Sequence, residues 1–103
     1  MSELVVSPAA ERDLDSILSY LVGKLCNPQA AGNLLDEIDA AYDTLQNEPE
    51  AFELCRDPRL RELGYRKVTV GSYLLIYEYD SDLDAVNVLR FFHESQNYGR
   101  MMS

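Results

Sequence analysis

Along the 103 residues, the spacing of apolar side chains changes once, from the three-and-four interval of a helix to the alternation of a strand. The helical part comes first. Ser7-Pro8 reads as an N-cap followed by proline at the first helical position, where a missing N–H leaves nothing unpaired. Leu14, Ile17, Leu18, Leu21 and Leu25 then mark one buried face, with Glu11, Asp13 and Asp15 near the positive end of the helix dipole. Asn27-Pro28 repeats the start signal. Leu34, Leu35, Ile38, Ala41, Tyr42 and Leu45 form the second stripe, with Asp36, Glu37, Asp39 and Asp43 mostly turned to water. The short link predicts an antiparallel helical hairpin.

From Tyr65 onward the residues alternate or are β-branched and aromatic, in runs 65–70, 73–79 and 85–92 separated by Gly71-Ser72 and by residues 80–84. These predict a three-stranded antiparallel meander. Leu4 to Val6 predicts a short extra strand at an edge or beside the meander. Between Gln46 and Leu63 the pattern lapses around Pro49 and Pro58, which predicts a packed loop. The expected fold class is α+β in the order βααβββ, a single domain over residues 1–103.

Hydrophobic residues make up 47% of the chain, which argues against disorder despite a net charge of −9. That charge is uneven. Residues 1–53 hold two basic and eleven acidic side chains, whereas residues 54–103 hold seven of each. Strong acidity disfavours generic adhesion to nucleic acid or anionic membrane, so any such contact needs a local basic patch. Arg56, Arg59, Arg61, Arg66 and Lys67 are the densest cluster, and read either as a binding patch or as a solvated loop that offsets the acidic helices. No run approaches the roughly 18 apolar residues of a membrane span, and the opening residues lack the pattern of an export signal. The expected location is cytoplasmic, with Cys26 and Cys55 as reduced core thiols. A single histidine excludes a His-rich metal site, and nothing in the pattern calls for a cofactor. Asp80-Ser81-Asp82-Leu83-Asp84 imitates a calcium loop, but Ala85 and Phe91 stand where glycine and glutamate belong, so it reads as a polar hairpin turn.

Three segments taken together resemble the RelE/ParE superfamily of bacterial toxins. They are Val6-Ser7-Pro8-Ala9-Ala10-Glu11-Arg12-Asp13-Leu14-Asp15-Ser16-Ile17, the strand pair from Tyr65 to Tyr77, and Val88-Leu89-Arg90-Phe91-Phe92-His93 through Tyr98. The resemblance implies the toxin half of a type II toxin–antitoxin, plasmid-stabilisation-like module, neutralised by a cognate antitoxin in a hetero-oligomer or accompanied by a homodimer. It implies either of two targets, DNA gyrase or ribosome-bound mRNA. A third reading is an antitoxin-binding module that has lost toxicity.

Metal-independent RNA cleavage needs cations on the phosphate and acid–base groups on the attacking and leaving oxygens, converging on one concave face. Arg66 or Lys67, Arg90, His93 and Tyr98 are the candidates for those catalytic roles, with Glu94 and Arg100 nearby. Each also has a structural reading. Arg66 and Lys67 point to opposite faces of a strand, Arg90 is placed to pair with Glu78, and His93 is placed to cap or pack. Ribonuclease members carry arginine on the central strand in a Tyr-Arg-apolar-apolar-Tyr pattern. Here the stretch is Tyr73-Leu74-Leu75-Ile76-Tyr77, so leucine replaces the phosphate-clamping cation, and the later arginine position falls near Glu94 or Ser95. The sequence is more ParE-like than nuclease-like. The tail 98–103 reads as too short and polar for the core, and with any exposed sheet edge is a candidate docking place for the antitoxin.

Overall fold

Ser7 caps the first helix as its sequence predicts, with its Oγ accepting the Ala10 N–H at 3.0 Å. Asn27 does the same for the second helix through Ala30 N–H at 3.1 Å. A computed structural model, which describes residues 1–102, carries these helices within the order β1 (Glu3–Val6), α1 (Pro8–Ser19), α2 (Pro28–Asn47), α3 (Pro58–Glu62), β2 (Arg66–Val70), β3 (Tyr73–Asp80), β4 (Ala85–His93) and α4 (Tyr98–Met101). The expected strand, helical hairpin and meander are all present. Among the described residues, no helix is long and apolar enough to cross a membrane.

The four strands lie in the order β1-β4-β3-β2, with β2-β3-β4 antiparallel and β1 parallel to β4. The N-terminal strand is therefore an edge strand, paired Glu3 to Ala85 through Val6 to Val88. Its start is fixed by the buried Ser2, whose hydroxyl donates to Asp84 Oδ1 at 2.6 Å, and Tyr79 donates to the same oxygen at 2.8 Å. These two bonds hold the Asp84 carboxyl below its usual range, Ser2 contributing most.

Opposite Ile76 and Tyr77, β4 contains an extra residue: Ile76 faces Arg90 and Tyr77 faces Val88, so Leu89 is left between. This bulge reverses the alternation. Val88 and Phe91 both join the core under the hairpin, while Leu89 and Phe92 pack on the other side of the sheet. The first core sets Ala31, Leu34, Ile38 and Leu45 of the hairpin against Val68, Leu75, Tyr77 and Val86 of the sheet. The second is smaller and consists of Cys55, Leu60, Ile76 and Phe92, flanked by Tyr65, Leu89, Tyr98 and Met102.

Four expectations change. The packed loop contains a helical turn, α3, because Asp57 accepts Arg59 N–H at 2.9 Å ahead of Pro58 and Leu60 is buried. The tail contributes Tyr98 and Met102 to the second core, and its last residue, Ser103, lies outside the described residues. Leu25 is 52% exposed, not buried. A π-helical turn over Tyr20–Lys24, closed by Leu25 N–H on Tyr20 O at 3.0 Å, adds a residue and rotates Leu25 off the inner stripe. Cys26 is exposed at positive φ, so only Cys55 is a core thiol, and both cysteines are free.

The Tyr77 hydroxyl donates to Pro49 O at 2.7 Å, and burial, against the opposing Arg66 charge, pushes its pKa from 10.0 up to about 12. Because the folded state favours the neutral phenol, this contribution is intact below pH 10.0 and is lost as pH rises towards about 12. Tyr77→Phe is expected to flatten that alkaline limb, leaving the parallel share of Tyr42, whose phenol burial, then Asp39, also pushes up to about 12, and to cost about 1 kcal/mol at neutral pH. Urea unfolding measured across alkaline pH checks both.

Candidate functional site

The π turn and the hairpin open a cleft against one end of the sheet. Its volume is about 930 Å³, and its walls come from α1, the π turn, α2, the β2–β3 turn and the end of β4. Ile17, Leu21, Leu34, Tyr73 and Phe91 supply apolar lining, and Asp13, Glu37 and His93 are its titratable carboxylate and imidazole groups. Gly71 at φ +58 makes the turn at one wall, and a Cβ there would lie 3.0 Å from Glu37 Oε2. Glycine serves both the backbone conformation and the close approach.

Of the five residues singled out for chemistry, only His93 lines this cleft. Its Nδ1 faces Ser95 Oγ at 2.7 Å and accepts Ser95 N–H at 3.1 Å, and its ring stands edge-on to Tyr73 at 5.4 Å between centroids. The accepting Nδ1 places the neutral ring's proton on Nε2. Burial, then the Tyr20 phenol, raises the Tyr73 pKa.

Arg90 is committed elsewhere. Its Nε and Nη2 donate to Asp13 Oδ2 and Oδ1 at 2.6 and 3.1 Å, a two-pronged ion pair, and its guanidinium carbon sits 4.8 Å from the centre of the Phe92 ring. The hydrogen bonds to Asp13 raise the Arg90 pKa further above its already high value. The expected pairing with Glu78 does not form, because the register sets Glu78 opposite Asn87 and Arg90 opposite Ile76. Asp13 was legible in one respect: it shares the inner stripe with Ala10 and Ile17, where a carboxylate needs a partner.

Arg66 anchors the segment before α3, donating to Phe52 O at 2.6 Å and lying 3.6 Å from the Glu50 carboxylate. Lys67 lies 3.8 Å from Glu53. Tyr98 packs beside Phe92 in the second core, where burial, then Cys55, raises its pKa. The Cys55 thiol is likewise pushed up by burial, with Lys67 opposing. Lys67 and Tyr98 thus meet around Cys55, whereas Arg66 on β2 and His93 on β4 flank β3 from its two sides, opposite Tyr77 and Tyr73 respectively. Arg56 and Arg61 are exposed, and Arg59 donates to Gly99 O at 2.8 Å, which ties the basic segment to α4.

A family model described as the ParE toxin of the type II toxin–antitoxin system parDE matches residues 4–98. The chain belongs to the ParE toxin family. Among solved structures, this ParE-family chain is similar to one from the chromosomal ParDE system of P. aeruginosa, with a TM-score of 0.69, 22% identity, and coverage of 90% of this chain and 96% of that one. It is also similar to one from the toxin–antitoxin complex RelBE2 of Mycobacterium tuberculosis, with a TM-score of 0.63, 22% identity, and coverage of 89% and 96%. At that identity the two neighbours establish the shared α+β fold. No curated protein matches the sequence. As a ParE toxin, the chain carries the βααβββ plan with Leu74 on the central strand and its late-strand arginine locked to α1.

Proposed function

We propose that this toxin arrests bacterial growth by binding a cytoplasmic target such as DNA gyrase rather than by cutting RNA, and that a cognate antitoxin neutralises it. The observation that carries the reading is the double contact of Arg90 with Asp13. An arginine held this way is already charge-compensated, and with Leu74 beside Phe92 on the sheet, neither central position presents a free cation to a phosphate. Arg66 and Lys67 are likewise paired with Glu50 and Glu53. The surplus negative charge of the hairpin half adds to the unfavourable field for RNA.

Expression without a partner is expected to stop growth, and the purified chain is expected to block supercoiling by bacterial gyrase while leaving mRNA on translating ribosomes intact. Normal growth with a soluble, folded product overturns the toxin reading. One feature favours the ribonuclease alternative, the histidine at the cleft mouth with Nδ1 held and Nε2 carrying the proton. His93→Ala separates the two: a gyrase binder keeps its activity if the ring lies outside the interface, whereas total loss with retained folding supports catalysis.

A further inference from the structure

We infer that this chain associates with copies of itself head to tail, the cationic shelf formed by Arg56 and α3 on one copy docking against the acidic outer stripe of α2 on the next. The second core builds the shelf. Leu60 is buried in it, which leaves Arg59 and Arg61 on either side of it exposed. Arg59 is held by Gly99 O and Asp57, whereas Arg56 and Arg61 are exposed and have no ion pair among the described residues. Leu63 after α3 and Met101 on α4 remain 60% and 47% exposed. Arginine and methionine are enriched where proteins meet, and the exposed leucine adds apolar area to them. On the other side of the sheet, α2 turns Leu34, Ile38 and Leu45 into the first core, which leaves Leu35, Asp36, Asp39 and Asp43 on its outer stripe at helical spacing. Leu35 is 40% exposed, and none of the three carboxylates has an ion pair among the described residues. The stripe therefore offers the shelf opposite charge and an apolar side chain of its own. Because the two surfaces lie on opposite faces of one sheet, they meet neither within a chain nor reciprocally across a two-fold axis, and each contact leaves a free surface at both ends. The surplus charge of the hairpin half does not oppose this. In 0.1 M salt charges are screened beyond about 10 Å, and the molecule measures 21 Å along its shortest axis. The acidic stripes of successive copies are thus shielded from one another, while facing arginine and aspartate side chains touch. Exposed pairs contribute little each, so the association is weak and salt-sensitive.

Sedimentation of the full chain tests this, whatever the toxin's target. At about 0.05 M salt the average mass is expected to rise with concentration and pass two copies, and at about 0.5 M to fall back towards one. Arg56→Glu with Arg61→Glu is expected to weaken association on the order of tenfold, and Asp36→Lys with Asp39→Lys by a similar factor. The second pair is decisive because it lowers the net negative charge, and if bulk repulsion were in control it would strengthen association instead. All four changes in one chain restore opposite charge across the contact and the original net charge, and are expected to recover association. Thermal unfolding checks that the variants fold. The milder pairs Arg56→Gln with Arg61→Gln and Asp36→Asn with Asp39→Asn, mixed, are expected to stop at two copies, since each supplies the surface that the other lacks. A chain that stays single at low salt, a wild-type mass that saturates at two copies, or a fourfold variant that stays single overturns the inference. So does binding of a labelled DNA duplex that Arg56→Glu with Arg61→Glu abolishes while self-association persists, which would assign the shelf to a polyanion.

Discussion

Phe92→Ala is expected to destabilise the fold by about 3–5 kcal/mol, the largest effect of any single change in the second core. Phe92 is 1% exposed and packs with Cys55, Leu60 and Ile76, with Tyr98 tilted beside it and the Arg90 guanidinium near its face. Truncation leaves a cavity that so small a cluster has few neighbours to fill. It also removes the surface on which α4 and the 55–65 segment meet, so both are expected to loosen before the rest of the molecule. Denaturant unfolding gives the magnitude, and amide exchange gives the location. Early loss of protection in residues 98–102 with the hairpin unaffected is the expected pattern, and uniform loss would show that the second core has no stability of its own. Phe92→Leu, which keeps most of the volume, is expected to recover the greater part.

Asp13→Ala is expected to cost about 2–4 kcal/mol, far more than a surface ion pair, because one carboxylate serves three donors. It accepts Arg90 Nε and Nη2 and also the Phe91 N–H at 3.0 Å. That N–H lies past Val88, where β1 has ended and β4 has no neighbour on that side. Ser7 covers the preceding step, its N–H donating to Val88 O at 2.9 Å and its hydroxyl to Leu89 O at 2.8 Å. α1 therefore finishes the hydrogen bonding that β1 begins. Removing the carboxylate strands a half-buried guanidinium and a backbone donor together. Asp13→Asn, whose amide oxygen can stand in for Oδ2 but whose NH2 group cannot accept from Arg90 Nη2, is expected to fall between. Arg90→Met, which removes the cation and keeps apolar contact with Phe92, is expected to cost less than Asp13→Ala. The reverse order in thermal or urea unfolding would remove Asp13 from this role.

The elements most legible in the sequence were those with local signals. Ser7-Pro8 and Asn27-Pro28 announce both long helices, and Gly71-Ser72 and residues 80–84 announce both hairpins of the meander. What escaped depends on contacts distant in sequence. The parallel pairing of β1 joins Glu3 to Ala85, and the partner of Arg90 lies 77 residues away at Asp13. The bulge at Leu89 leaves no mark in composition, yet it sets which neighbours Arg90 and Phe92 meet. The π turn is equally silent, because a run such as Tyr20-Leu21-Val22-Gly23-Lys24 suits either helical spacing. Of the candidate site, the residue types were legible and their convergence was not: His93 faces the cleft, while Lys67 and Tyr98 gather around Cys55 on the other side of the sheet.

The parallel pairing of Glu3–Val6 with Ala85–Val88 also governs when the molecule first exists in folded form. A nascent chain holds its first strand unpaired until residues 85–88 have been made, which at roughly 5–20 residues per second takes several seconds or more. The helical hairpin can form early, but its sheet cannot close around so long a separation until then, and such non-local closure is itself slow. During translation the chain therefore leaves the ribosome with an unfinished sheet, and any surface that needs the closed sheet is absent until residues 85–88 have emerged.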